Sequence, residues 1–217
     1  MKQTLRSCIY LGCVVGLTML PLRAQENSYG LFTAAAGAGF DTPIYRSGSN
    51  LDMGWNFRGD AGINLFAGHL GLLGEFGFDN MGVTSSTLAS LGYPGGTARV
   101  YDFSGEAVIR FYTHGRGTAY LIGGPGVYTR TLAFTAPTIA SVTGFSPFFG
   151  IYNVGVPANV VLASYTTTKL GVDGGLGFDF RLGNGRGKFF AEARYTQMYT
   201  NPGHPMAWIP VTFGFRW

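Results

Sequence analysis

The chain of 217 residues is short of charge: Asp, Glu, Lys and Arg make up only 12% of it, where soluble domains usually carry about 25%. Lysine is scarcest, with only Lys169 and Lys188 beyond residue 24. Cysteine is confined to Cys8 and Cys13. Loss of the N-terminal segment would therefore remove all thiol and disulfide chemistry. No stretch reads as a membrane-crossing helix. The longest apolar run, Cys8 to Leu22, contains Pro21 and falls short of the ~20 residues a spanning helix needs. No group of His, Asp or Glu has metal-ligand spacing, so neither a metal nor another cofactor is expected. The strings Gly123-Gly124-Pro125-Gly126 and Gly174-Gly175-Leu176-Gly177 lack the strand–turn–helix context and the Lys-Ser/Thr ending of a phosphate loop. Glycine in tightly curved strands accounts for them.

What the chain does have is glycine, 35 residues of it, and 15% aromatics. Its N-terminus reads as an export signal. Lys2 and Arg6 precede the apolar core Cys8 to Leu20, Pro21 breaks it, and Leu22-Arg23-Ala24 offers a cleavage site before Gln25. The expected division is a cleavable signal peptide over 1–24 and one domain over 25–217. Cleavage would take Lys2, Arg6 and Arg23, lowering the net charge from +4 to about +1. The basic character then belongs to the signal, and no nucleic-acid partner is implied.

Beyond the signal the dominant pattern has period two, as in a strand with two unlike faces. Ile209, Val211, Phe213, Phe215 and Trp217 fall on one face, against Pro210, Thr212, Gly214 and Arg216 on the other. Five further stretches alternate in the same way, at 55–65, 72–79, 101–111, 169–182 and 188–199. Segments 28–40 and 118–130 are strand-like but Gly/Ala-rich, and their facing stays open. Short turns at Ala67-Gly68-His69, 114–117 and 183–187 suit tight hairpins. Longer loops are expected at 41–54, 80–98, 131–165 and 200–207. Eight strands, with short turns at one end and long loops at the other, predict an all-β, eight-stranded, antiparallel up-and-down transmembrane barrel. A lipocalin-like barrel or a sandwich also alternates, but it would need a more charged exterior.

These features together resemble the small outer-membrane β-barrel family, the porin-like and OmpA-type transmembrane domains. The signal, the alternating strands and the terminal W-I-P-V-T-F-G-F-R-W carry the resemblance. It implies the bacterial outer membrane, contact with lipid and lipopolysaccharide, and both termini on the periplasmic side. It also implies that the barrel assembly machinery reads a C-terminal signal here formed by Phe213, Phe215 and Trp217. Nothing after Trp217 would supply a peptidoglycan-binding domain, so no cell-wall tether is expected.

The polar faces hold the bases Arg58, Arg110, Lys169, Arg181, Lys188, Arg194 and Arg216 and the acids Asp60, Glu75, Asp79, Asp102, Glu106, Asp173, Asp179 and Glu192. Eight strands leave an interior just wide enough for side chains to fill it. Confined charges there must pair, so a plugged, charge-paired lumen of near balance is expected, with a gated conductance as the alternative. Catalysis is not expected. His69, His114 and His204 have no serine assigned to them, although Ser141, Ser146 and Ser164 occur in the third long loop. That loop is the feature that asks for a function. From Thr131 to Thr168 there is no charged residue, and Phe134, Ile139, Phe145, Phe148, Phe149, Ile151 and Tyr152 make it a candidate contact with a surface partner or an apolar ligand. The expected role is structural or interactive, adhesin-like. The alternative is binding or passage of small apolar solutes through the mouth.

Overall fold

The computed structural model describes residues 29–112, 116–183, 185–201 and 204–217. The expected signal peptide 1–24, the turn residue His114 and Asn184 lie outside them. Eight antiparallel strands follow one another around a closed ring. They are β1 (Phe32–Pro43), β2 (Leu51–Leu65), β3 (Leu70–Val83), β4 (Gly95–Tyr112), β5 (Gly117–Ser146), β6 (Gly150–Arg181), β7 (Lys188–Asn201) and β8 (His204–Arg216). Each pairs with its neighbour in sequence, and β1 closes the ring on β8, with Ala35 opposite Arg216 and Pro43 opposite Trp208. The last residue seals this seam. The Trp217 N–H donates to the Ala34 carbonyl at 2.9 Å, and the Ala34 N–H donates back. Closure pairs the backbone groups that lipid could not satisfy.

The period-two pattern is realised on both faces. Outside, Phe57, Phe76, Phe103, Ile109, Leu121, Leu176, Phe178 and Phe213 are exposed. Trp55, Phe78 and Tyr101 touch one another toward the end of the barrel that carries the long connections. Phe189 and Phe215 meet edge to face near the end that carries the termini. An apolar wall with aromatics toward both rims is the outer surface a bilayer demands. Inside, the alternate residues are buried and mostly polar. The two Gly/Ala-rich strands take a definite facing. Thr33, Ala35 and Asp41 point inward from β1, and Thr118, Tyr120, Ile122 and Tyr128 point inward from β5.

All four expected long loops are corrected, the one at 200–207 because β7 runs to Asn201 and β8 begins at His204. The connection 41–54 contains a short helix, α1 (Tyr45–Asn50), and β2 already begins at Leu51. The connection 80–98 contains α2 (Ser85–Leu91), which ends on Gly92 with a positive φ of 74°, the left-handed turn that glycine adopts without a Cβ clash. The largest difference is 131–165. It is β-ribbon for nearly all its length, because β5 and β6 run on for 30 and 32 residues and stay paired from Gly117–Phe180 to Ser146–Gly150. Alternation is weak there because a two-stranded ribbon has no buried face to enforce it.

Glycine makes room inside. Gly177 lies directly across from Tyr120, and Gly77 across from Asp102. A methyl group at either position would fall on the partner's side chain. A methyl group at Gly105, in contrast, would have nothing within 4 Å of it. Gly177→Ala should therefore cost about 1–3 kcal/mol of unfolding free energy through overpacking. Gly105→Ala should cost nothing measurable, as read by urea unfolding of the refolded barrel.

Candidate functional site in the lumen and at the mouth

The interior charges sit on inward positions of β1, β2, β3, β4, β6, β7 and β8, and the ring brings them together. Glu75 lies between two guanidinium groups. Arg58 Nη1 donates to its Oε1 at 3.1 Å, and Arg194 donates to both of its oxygens. Arg58 also reaches Asp79 at 3.0 Å and Asp102 at 3.4 Å. Arg194 also bonds Glu192 and stands 3.6 Å from Asp173 and 3.9 Å from Glu106. Nearer the termini, Arg216 pairs with Asp179 at 3.0 Å and faces Asp60 at 3.6 Å.

Aromatic hydroxyls complete the acceptors: Tyr120 donates to Glu192, Tyr128 to Asp173 and Tyr29 to Asp179. The Tyr29 ring also lies under the Lys188 ammonium and the Arg110 guanidinium. Arg110 Nη1 donates to Asn64 and to the Gly68 carbonyl.

The near balance expected from the sequence is corrected. Lys169 is exposed, above the last β6–β7 pair at Gly171–Met198, and Arg181 is half-buried at the opposite end. Among the described residues the buried bases are Arg58, Arg110, Lys188, Arg194 and Arg216. They face nine buried carboxyl groups, because Asp41 joins the eight expected acids. Asp41 accepts from Asn56, and Asn56 in turn accepts from Thr212. Sequence reasoning missed Asp41, Tyr29, Tyr120 and Tyr128. The first lies on a strand whose facing glycine and alanine obscured, and a tyrosine gives no sign by type of which face it takes.

The lumen is also layered, which alternation alone does not show. Leu73, Val108, Tyr120 and Ile122 form one apolar cluster. Met81, Val100, Tyr128, Met198, Met206 and Trp208 form a second toward the long-connection end. All six of the latter are at most 4% exposed. Above this second cluster lies a cavity of about 410 Å³, between α1, α2, the tops of β4 and β5 and the start of β8. Leu51, Val83, Leu132, Phe134 and Met206 line it, together with Arg46 and Arg130.

The expected contact residues divide. Phe134 is buried, stacked on Tyr93 at 4.5 Å with Tyr165 at its edge. It anchors the base of the ribbon and is not a surface contact. Ile139, Phe145, Phe148, Phe149, Ile151 and Tyr152 are exposed, Phe148 at 91%. Phe213, Phe215 and Trp217 are exposed on the outer face of β8. His69 lies in the turn between β2 and β3, at the opposite end of the barrel from Ser141, Ser146 and Ser164 on the ribbon.

A ring of eight antiparallel strands with an apolar outer wall and a polar, ion-paired interior defines a membrane β-barrel of the bacterial outer-membrane type. Residues 11–208 match the model of the family described as "Outer membrane protein beta-barrel domain", and the chain belongs to that family. Among solved structures it is similar to Neisserial surface protein A, at 14% identity over 86% of this chain and 96% of that one, with a TM-score of 0.52. The attachment invasion locus protein Ail of Yersinia pestis matches at 17% identity, 87% and 100% coverage and a TM-score of 0.46. The N-terminal barrel of Pseudomonas aeruginosa OprF matches at 12%, 86% and 98%, with a TM-score of 0.39. At these identities the likeness is one of fold. No curated protein matches the sequence.

Removing Arg194 would leave Glu192 and Asp173 without their cation and Glu75 with Arg58 alone. Such a loss in a buried pair costs about 3–5 kcal/mol. Arg194→Ala should lower the unfolding free energy by that amount in urea titrations. Exposed Lys169→Ala should change it by less than about 0.5 kcal/mol.

Proposed function

We propose that this protein is an outer-membrane barrel with a plugged lumen that makes surface contacts through its β5–β6 ribbon. The observation that carries the reading is the ribbon itself. Beyond the last β4–β5 pair, Gly95–Thr135, β5 continues from Ala136 to Ser146 without a neighbour on that side. At ~3.3 Å per residue this is a projection of about 35 Å. It carries no charge, and large apolar side chains stand exposed on both faces, Ile139 and Phe145 on one and Val142 with its partner Val154 on the other, with Phe148 and Phe149 at the turn. An uncharged apolar surface of this extent, held by a closed ring of strands, suits contact with another surface. An adhesin-like role follows from that chemistry.

The plug rests on two layers. The ion-paired network fills the middle of the lumen, and the cluster around Met81, Tyr128, Met198 and Trp208 closes it toward the mouth. An eight-stranded ring leaves no room for a diffusion channel beside them. In this reading the termini and the short turns face the periplasm and the ribbon faces outward, in keeping with the usual asymmetry of such barrels. The exposed aromatics Phe213, Phe215 and Trp217 form the segment offered to the assembly machinery. Lipid and lipopolysaccharide surround the apolar wall, and no enzymatic role is assigned.

Deleting residues 135–162 tests the contact role. The shortened barrel should fold and resist urea as the full chain does. Proteoliposomes carrying it should lose adhesion to apolar and protein-coated surfaces, and the adhesion of the full chain should persist at high salt, since screening acts on charges and not on apolar contact. Undiminished adhesion after deletion would remove the ribbon from the function. Separately, liposomes containing the full chain should retain a trapped small sugar. Rapid leakage from them would exclude the plug.

A further inference from the structure

Among the described residues, the cavity at the mouth holds a cation, Arg130, with no carboxylate paired to it. Arg130 points inward from β5 into a space whose other walls are largely apolar: Leu51, Val83, Leu132, Phe134 and Met206. Its Nε is buried and has no hydrogen-bond partner. Its Nη1 reaches only the Met206 sulfur, at 3.9 Å, which is a weak acceptor. Among the described residues no carboxylate pairs with it, although nine carboxyl groups are buried in the same barrel. Those are held by the network arginines and, for Asp41, by Asn56. The contrast with Arg58, Arg194 and Arg216 is plain, since each of those holds at least two carboxylates.

Arg130 is half-buried, so water reaches part of its guanidinium, and a carboxylate would offer the buried remainder a stronger acceptor. The planar guanidinium fork fits a carboxylate with two parallel N–H donors. We propose that the mouth cavity binds a small carboxylate-headed amphiphile, its head on Arg130 and its chain among Leu51, Val83, Leu132 and Phe134. A volume of about 410 Å³ lies at the low end of small-molecule sites. It suits one short acyl or aryl chain and is too small for a two-chain lipid. Arg46 at the rim adds positive potential that favours entry of an anion. The site does not depend on what the ribbon contacts.

The test uses the refolded barrel in nanodiscs of zwitterionic lipid, titrated by fluorine NMR with para-fluorophenylbutyrate and, separately, with the matching alcohol. Empty nanodiscs account for partition into lipid. The acid is expected to bind saturably and at least about tenfold more tightly than the alcohol, the difference a charge-assisted hydrogen bond supports. Arg130→Gln should erase that preference and Arg130→Lys should keep part of it. Leu132→Trp, which fills the cavity and leaves the charge in place, should abolish binding of both. Equal binding of acid and alcohol to the unaltered protein would overturn the proposal without recourse to any variant. So would a preference that survives in Arg130→Gln, or an absence of saturable binding.

Discussion

Glu75 between Arg58 and Arg194 is the contact on which the rest of the interior is arranged. Arg58 comes from β2, Glu75 from β3 and Arg194 from β7, so one carboxylate ties opposite walls of the ring together. Each arginine then gathers further acids, from β3 and β4 in one case and from β6 and β7 in the other. A buried charge is tolerable only where its partners are in place. The network is therefore satisfied only in the closed ring, and closure and pairing support one another. Interior glycines are part of the same arrangement, because Gly77 and Gly177 leave the volume that Asp102 and Tyr120 occupy.

The layering of the lumen gives the two ends different chemistry. Toward the termini the filling is mixed, with Tyr29 beneath Lys188 and Arg110 and with Arg216 on Asp179. Toward the mouth it is apolar, five side chains packed around Trp208. Met206 belongs both to that layer and to the wall of the cavity that holds Arg130. Above it the ribbon continues as a two-stranded projection with no third strand beside its tip, which leaves apolar side chains exposed on both of its faces.

Much of the barrel was legible in the sequence. Alternation over 55–65, 101–111 and 209–217 fixes which residues face lipid, because a strand puts neighbours on opposite faces and a one-residue slip would invert them all. The segments that resisted were those where glycine and alanine blur the contrast, and the ribbon, where no buried face imposes one. Connection type was less legible. Tyr45–Asn50 and Ser85–Leu91 are each too short to show a helical period. The interior set was read almost whole from parity, but its partners were not. Lys169 has the right parity and lies beyond the ring, while Asp41 sits within it among residues that gave no pattern.

By itself the sequence determined the number of strands, the apolar outer wall, the placing of charge inside and the uncharged stretch from Thr131 to Thr168. These follow from residue order along a strand, which is a local property. The tertiary structure alone decided which charge meets which, that buried acids outnumber buried bases, that an apolar cluster gathers toward the long-connection end and that Arg130 pairs with no carboxylate among the described residues. Those depend on ring closure and on register between strands distant in sequence, and no alternation along one strand contains that information.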